Sequence, residues 1–183
     1  MSKSETCEHE MREELLSKYF TREIGIPVFV NKAVKQSTCA LCGEVSHSIP
    51  YLGRLIAAAA VSRAKMPEKL SGREIVFMRK SLELSGKELA SILEVTPETV
   101  SRWENDKAPM NPAHEKMLRI CVGIRLGPKA LAVDFNPSEV FEMNIRAIRS
   151  VDEIVLELQL VAVKEKKESP LVESYSDRER LAA

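Results

Sequence analysis

Two cysteines three positions apart are the first residues whose spacing suggests chemistry. Cys39 and Cys42 stand in the string Cys-Ala-Leu-Cys-Gly, in which both thiolates can face one metal ion and Gly43 permits the turn that follows. A structural zinc ion normally takes four ligands, and the sequence has no second Cys-x-x-Cys. The candidates for the other ligands are Cys7, His9 and His47. The alternative is a turn without metal, in which both cysteines pack as small apolar side chains.

A second kind of chemistry, the reading of DNA, is indicated by residues 85–104. Two short helices are predicted on either side of residues 94–96, and the small Ala90 lies where the second helix must cross the first closely. Val95 supplies the apolar residue of the turn. This is the layout of a helix-turn-helix, whose second helix places its N-terminal residues in the major groove. Glu94 occupies the position usually taken by glycine, so it must adopt a left-handed backbone conformation.

The exposed side of that second helix holds the candidates for base contacts. Arg102 is the strongest of them, because a guanidinium can bond O6 and N7 of guanine together. Thr99 could contact a thymine methyl group or a phosphate, Glu98 could accept from cytosine N4, and Ser101 is a weaker candidate. Glu98 also has a simpler explanation, since a carboxylate in the first turn favours the helix dipole without any DNA. The flanking residues expected to contact phosphates are Lys87, Asn105 and Lys107.

The helices that position these residues follow from a series of helix starts. Ser71 and Ser85 each precede a glutamate by three residues, which is the pattern of a capping box. At three other sites a threonine or asparagine precedes a proline. Proline suits the first helical position, because the N–H that it lacks would have no partner within the helix there. These five starts predict helices over residues 72–82, 86–93, 97–104, 112–126 and 137–150.

The ends of the chain carry different patterns. The N-terminal part predicts a helix over 9–20, strands over 24–34 and 45–49, and an alanine-rich helix over 51–65. Residues 154–163 are an apolar run of β-formers, which we expect to pair with the N-terminal sheet or with a two-fold mate. Residues 164–183 are charged and without period, which predicts a disordered tail. The expected units are therefore 1–66, 67–163 and 164–183.

Composition narrows the class of protein. The 183 residues include 27 basic and 27 acidic side chains, so a net charge of zero disfavours a bulk polyanion binder. No apolar run reaches the roughly 20 residues of a membrane span, and the polar N-terminus is no secretory signal. Four cysteines in such a chain favour a reducing compartment and a cytoplasmic protein. With scattered histidines and no glycine-rich phosphate loop, an enzyme is not expected.

Two neighbouring strings carry a resemblance to a known family. They are Lys87-Glu-Leu-Ala90 and Val95-Thr-Pro-Glu-Thr-Val-Ser-Arg-Trp-Glu-Asn105. With them, the chain resembles the lambda-repressor/Cro-like (XRE) helix-turn-helix family over about residues 70–125. The resemblance implies a helical domain that binds double-stranded DNA. The expected fold is mainly α: this Cro/lambda-repressor-like domain, preceded by a small α+β, zinc-knuckle-like module and followed by a helix and a strand. Because local charge is nearly balanced, affinity should depend on a homodimer that contacts two half-sites.

The order of the parts carries a second resemblance. Two strings, Ile26-Pro-Val-Phe-Val and Cys39-Ala-Leu-Cys-Gly-Glu44, stand before a connecting helix and a Cro-like domain. This arrangement is similar to that of the MqsA-type antitoxins with their YgiT-type zinc-finger module. This implies a repressor that is the antitoxin of a type II toxin-antitoxin pair, with residues 1–66 binding the toxin and structural zinc in the module. The alternative is a stand-alone XRE-family regulator whose N-terminal module senses a metal or small ligand.

Overall fold

The fold combines two sheets with a helical unit. The computed structural model describes residues 7, 10–147, 154–164 and 171–177 of the chain. Helix accounts for 38% and strand for 24% of these residues, in six helices and seven strands. The expectation of a mainly α fold is therefore wrong, and the described chain is mixed α/β.

The elements follow one another in the order strands, helices, strands. The N-terminal strands are β1 (Met11–Leu15), β2 (Lys18–Thr21), β3 (Val28–Asn31), β4 (Lys35–Cys39) and β5 (Val45–Ser48). The helices are α1 (Leu52–Ala64), α2 (Gly72–Ser81), α3 (Gly86–Ile92), α4 (Pro97–Glu104), α5 (Pro112–Leu126) and α6 (Pro137–Glu142). The last strands are β6 (Leu156–Lys164) and β7 (Leu171–Ser176).

Both ends of the chain contribute to one of the two sheets. The first sheet has three antiparallel strands in the order β1-β4-β5, and the second has four in the order β2-β3-β6-β7. In the second sheet β3 and β6 run parallel, with Val28 opposite Leu156 and Val30 opposite Leu158. The prediction that residues 154–163 pair with the N-terminal sheet is thus confirmed, and β6 lies inside that sheet rather than at an edge.

The helix predicted over residues 9–20 is wrong, because β1 and β2 occupy most of it. Met-Arg-Glu-Glu-Leu of β1 are acceptable helix formers, but each residue pairs with a partner on β4. The Leu16 N–H donates to the Val34 carbonyl at 2.9 Å and holds the segment between the two strands extended. Tertiary pairing that no local pattern reveals has decided the conformation here.

The C-terminal part also differs from expectation. The helix predicted over 137–150 ends at Glu142, and residues 171–176, expected to be disordered, form β7. This strand packs on α1, where Tyr175 is fully buried and its hydroxyl donates to the Pro50 carbonyl at 2.8 Å. The other residues of the expected tail after Lys164 lie outside the described residues, apart from Asp177.

The central helices match their predicted starts. Ser71 and Ser85 each form the complete capping box, and Thr96 and Asn111 each accept a backbone N–H at the start of α4 and α5. α1 confirms the alanine-rich helix, whose Ala57 to Ala60 are all buried and let neighbouring elements approach closely. No helix within the described ranges combines the length and apolar character that crossing a membrane requires.

Two buried ion pairs lie where α1 meets the helices that follow. Arg119 pairs with Glu115 at 2.7 Å, and both side chains are completely buried. The Arg119 guanidinium also donates to carbonyls at and beyond the end of α1, those of Arg63, Ala64, Met66 and Glu68. Arg63 in turn pairs with Glu74 of α2. Since α1 also packs on β6 and β7, these contacts fix the helical unit relative to the four-stranded sheet.

Candidate nucleic-acid interface and thiol cluster

α3 and α4 form two short helices joined by a tight turn. The Val95 N–H donates to the Ala90 carbonyl at 2.9 Å, and Ala90 is buried where the two helices meet. Glu94 has φ 53°, the left-handed conformation expected at this position. A non-glycine residue pays a steric cost there, of about 1 kcal/mol.

The inner side of α4 is anchored in the core. Val100 and Trp103 are buried, and the Trp103 ring lies 5.4 Å from that of His114 on α5. Gly72, at the start of α2, allows that helix to touch the last turn of α4. A Cβ atom on Gly72 would lie 2.5 Å from the Glu104 carbonyl oxygen, so only glycine fits. α4 is therefore held rigidly from behind.

An ion pair between α2 and α4 adds to this support. Arg79 donates to both carboxylate oxygens of Glu104, at 2.6 and 3.3 Å, and to the Leu84 carbonyl at 2.8 Å. Both charged side chains are largely buried, so the bidentate bond is shielded from water. Sequence reasoning missed this pair, because 25 positions separate the residues and neither stands in a local motif.

The outer side of α4 and its flanks carry the residues proposed from the sequence. Thr99 is half-buried, and its backbone N–H donates to the Thr96 hydroxyl oxygen at 3.2 Å. The Asn105 side chain donates to the Ser101 carbonyl at 2.7 Å and so closes the C-terminal turn. The exposed members of the set are Lys87, Glu98, Ser101, Arg102, Asn105 and Lys107. We call these six residues and Thr99 the outer face.

Glu98 is already engaged by its own helix. The backbone N–H of Glu98 and the Thr96 hydroxyl bond its carboxylate, and together they lower the pKa of Glu98. This agrees with the simpler explanation from the sequence, in which Glu98 stabilises the start of α4. The bases of the outer face are balanced by nearby acids, since Glu94 and Asp106 are exposed as well.

Three cysteines form a second candidate site. The sulfur atoms of Cys7, Cys39 and Cys42 all lie within 4.8 Å of one another, and those of Cys7 and Cys39 are 3.9 Å apart. Two thiolates at 2.3 Å from one tetrahedral zinc ion stand about 3.8 Å apart, so the cluster fits three of its four ligands. These three residues could therefore bind a metal. We call them the thiol cluster.

Backbone bonds explain how the three thiols meet. Between Cys39 and Cys42 the chain turns, with the Cys39 N–H donating to the Glu44 carbonyl at 2.8 Å and Gly43 at φ 71°. The Ala40 N–H donates to the Glu10 carbonyl at 2.9 Å, which brings the segment containing Cys7 beside the turn.

The thiol cluster disfavours a free thiolate. Burial, with hydrogen bonds between the Cys7 thiol and the sulfur atoms of Cys42 and Cys39, raises the pKa of Cys7 to about 11. A metal ion would have to displace a proton from this sulfur.

The two histidines considered as ligands have different outcomes. His9 lies outside the described residues. His47 lies on β5, where its Nε2 is 3.2 Å from the Gln36 side-chain oxygen and its ring is 4.8 Å from that of Tyr19. It is not a member of the thiol cluster.

The comparison with known families concerns the first site. A family model described as helix-turn-helix matches residues 77–121, which run from α2 into α5. This segment is similar to helix-turn-helix domains of the XRE type, and we call it the helix-turn-helix domain. The match covers about a quarter of the chain and supports a DNA-binding transcriptional regulator that binds double-stranded DNA. No curated protein and no solved structure gives a significant match.

The match does not extend to the two sheets or to the thiol cluster. It begins after Glu74 and includes both Glu115 and Arg119, so the Arg63–Glu74 pair lies before the matched segment and the Glu115–Arg119 pair lies inside it. The four-stranded sheet packs on α1 through β6 and β7, and buried hydrogen bonds from Arg119 join the end of α1 to the matched segment.

Proposed function

We propose that the chain is a sequence-specific transcriptional repressor that inserts α4 into the major groove of its operator. The observation that carries the proposal is the rigid placement of α4, which is anchored by Val100 and Trp103 and presents Arg102 to solvent. A reading helix must be held from behind while its opposite side stays free, and this helix meets both conditions.

The outer face divides into two roles. Arg102 contacts a guanine, with Thr99 and Ser101 as further base contacts on the same side of α4. Glu98 accepts from a cytosine only where it can leave its helix cap. The residues that bind phosphates and set the orientation are Lys87, Asn105 and Lys107. Because acids balance these bases, a homodimer on two half-sites supplies the affinity.

The repressor is the antitoxin of a type II toxin-antitoxin pair and represses its own operon. Residues 1–66 bind the toxin. This assignment is supported by the three-stranded sheet, in which all residues of β1 and β5 are exposed and Met11 and Leu15 lie on one face of β1. Exposed apolar side chains on one face of an edge strand are typical of a surface that a partner covers.

The thiol cluster holds a structural zinc ion in this proposal, with His9 as the fourth ligand. Zinc would tie the segment before β1 to the β4–β5 turn and supply the stability that this exposed sheet lacks. The ligands would act as thiolates, since zinc binding removes the thiol protons.

A second candidate function is a stand-alone XRE-family regulator whose N-terminal module senses a metal or small ligand. The thiol cluster favours it, because three described thiols leave one coordination position for an exchangeable ligand. Native mass spectrometry on the protein from its own host separates the two. A stoichiometric second polypeptide supports the antitoxin, whereas a homodimer alone supports the sensor.

The DNA-binding proposal is tested by selecting operator sequences from random duplexes and measuring the affinity of Arg102→Ala. We expect the variant to lose about 1–3 kcal/mol on the selected site and to relax the preference at one base pair. Arg12→Ala is the matched control, since it removes the same charge from an exposed position on β1. Equal losses for the two variants, or no selected sequence at all, would contradict the proposal.

A further inference from the structure

We propose that the thiol cluster is a site of reversible oxidation, at which a hydroperoxide joins Cys7 and Cys42 in a disulfide. This inference rests on the proposed function in one respect, since it concerns the same thiols that hold zinc there. It is carried by the distances between the sulfur atoms, the unequal exposure of the three thiols and the backbone that holds each of them.

The sulfur atoms of the thiol cluster are close enough for a disulfide to form. All three lie within 4.8 Å of one another, and a disulfide requires that two of them approach to about 2 Å. Side-chain rotation and a small movement of one segment can close that gap. The fourth cysteine of the chain, Cys121, lies on α5 and is not a member of the cluster.

Exposure selects Cys42 as the thiol that meets the oxidant. Cys42 is exposed and Cys7 is half-buried, whereas Cys39 is only 1% exposed. The turn that carries Cys42 is open as well, because residues 40–44 are all exposed and a Cβ atom on Gly43 would meet nothing within 4 Å. A small peroxide can therefore reach the Cys42 sulfur, which is the condition for selective oxidation of one thiol among several.

The backbone selects Cys7 as the thiol that completes the disulfide. Cys39 is the last residue of β4, where its N–H donates to the Glu44 carbonyl at 2.8 Å and its carbonyl accepts the Gly43 N–H at 2.9 Å. Cys7 stands before β1 and outside any strand. Its sulfur can thus approach that of Cys42 without opening a pair of strands.

The reaction balances in two steps. In the first, the Cys42 sulfur attacks one oxygen of the hydroperoxide and the O–O bond breaks. The other oxygen leaves with the thiol proton as an alcohol or water, and Cys42 becomes a sulfenic acid. In the second, the Cys7 sulfur attacks the Cys42 sulfur, the S–S bond forms and the S–O bond breaks, and hydroxide leaves with the Cys7 proton as water. The two thiols lose two electrons and two protons, which the hydroperoxide takes up.

Oxidation changes what the thiol cluster can hold. A disulfide supplies no thiolate, so only Cys39 remains as a sulfur ligand and a zinc ion is released. The new bond still ties the segment before β1 to the β4–β5 turn, so we expect β1 to stay paired with β4. Exposed disulfides are the labile ones, so a thiol reductant restores the cluster.

Peptide mapping of the full chain tests the proposal. The chain, freed of metal with a chelator, is treated with hydrogen peroxide, its remaining thiols are alkylated, and it is cleaved after lysine and arginine. Cys39 and Cys42 then share the peptide 36–54, whereas Cys7 lies in the peptide 4–12. We expect these two peptides to be joined through Cys42, with Cys39 and Cys121 alkylated, and dithiothreitol to separate them again. A zinc-loaded chain should release its zinc as the same cross-link forms.

Cys42→Ser and Cys39→Ser are the matched variants, because each removes one thiol from the same turn. Cys42→Ser should slow the reaction of the cluster with peroxide at least about tenfold, since it removes the exposed sulfur. Cys39→Ser should still form the cross-link. In the oxidised wild type, β1 should keep its protection from amide hydrogen exchange.

Three outcomes would overturn the proposal, and the first two need no variant. The first is a disulfide that includes Cys39, whether it closes within the peptide 36–54 or joins this residue to Cys7. The second is a wild type in which Cys42 is oxidised no faster than Cys121, or to a sulfinic acid without any cross-link. The third is a Cys42→Ser chain that reacts as fast as the wild type. A chain that forms the cross-link but binds no zinc would instead contradict only the zinc site of the proposed function.

Discussion

The helix-turn-helix domain and the three-stranded sheet are stabilised in different ways. The domain has capped helices, a core around Val100 and Trp103, and buried ion pairs at its border. In the three-stranded sheet all residues of β1 and β5 are exposed, and the thiol cluster lies at one end. From this comparison we expect the domain to be stabilised mainly by its own packing, and the three-stranded sheet to depend more on its thiol cluster or on a partner.

The largest expected effect concerns the border between the helix-turn-helix domain and α1. Glu115→Ala leaves the Arg119 guanidinium buried without its carboxylate and removes the acceptor of the Leu70 N–H, at 2.9 Å. We expect a loss of about 3–5 kcal/mol in the free energy of unfolding, measured in urea. In the control, Glu115→Gln keeps a side-chain oxygen that can accept from the Leu70 N–H, so it should lose less than Glu115→Ala. A change below about 1 kcal/mol for Glu115→Ala would mean that the pair does not support the border.

The next effect concerns β7, which ties the C-terminus to α1. Tyr175→Ala should cost about 3–5 kcal/mol, because it removes a fully buried ring, whereas Tyr175→Phe should cost only about 1 kcal/mol for the lost bond to Pro50. Urea denaturation measures both. If the two variants were equally mild, β7 would not be part of the folded structure.

The same residue gives a pH dependence. Burial, with a smaller contribution from Glu173, raises the pKa of Tyr175 to about 12, above the value of about 10 in an unfolded chain. The raised pKa contributes stability below pH 10 that is lost as pH rises through 10 toward 12. We therefore expect the stability of the wild type to fall more steeply than that of Tyr175→Phe over this range. Parallel curves would show that Tyr175 is not buried in solution.

How far the sequence predicts this structure depends on the distance between the interacting residues. Ser71 and Ser85 act on residues three positions away, so the starts of α2 and α3 could be predicted from the sequence. Met11 to Leu15 form a strand only because β4 lies beside them, and β3 finds β6 from the far end of the chain. Such pairing depends on the whole fold, which local patterns do not contain.

In both candidate sites, residues close together in the sequence could be predicted, and those far apart could not. Arg102 and the rest of the outer face follow from a continuous motif, whereas the ion pair of Arg79 with Glu104 that supports α4 does not. In the thiol cluster, the spacing of Cys39 and Cys42 is local. Cys7 could only be one candidate among several, because its position depends on the bond between Ala40 and Glu10.

Removing the metal should affect the three-stranded sheet and leave the helix-turn-helix domain unchanged. For a zinc-loaded chain, we expect a chelator or Cys39→Ser to speed amide hydrogen exchange in β1 and β5 while α2 to α5 keep their protection. Cys121→Ser is the control, since Cys121 lies on α5 outside the thiol cluster and should leave the zinc content unchanged. Exchange that rises equally in the helices would contradict the separate stabilisation of the two regions.

The smallest expected effect lies inside the helix-turn-helix domain. Glu94 has φ 53°, and Glu94→Gly should relieve the steric cost of that conformation, raising the free energy of unfolding by about 0.5–1 kcal/mol after the entropy of glycine is included. Glu94→Ala removes the same charge but keeps the Cβ, so it should give no such gain. If the two variants were equally stable, charge rather than backbone strain would govern the turn. A gain for glycine alone would show that backbone strain at Glu94, rather than its charge, limits the stability of the turn.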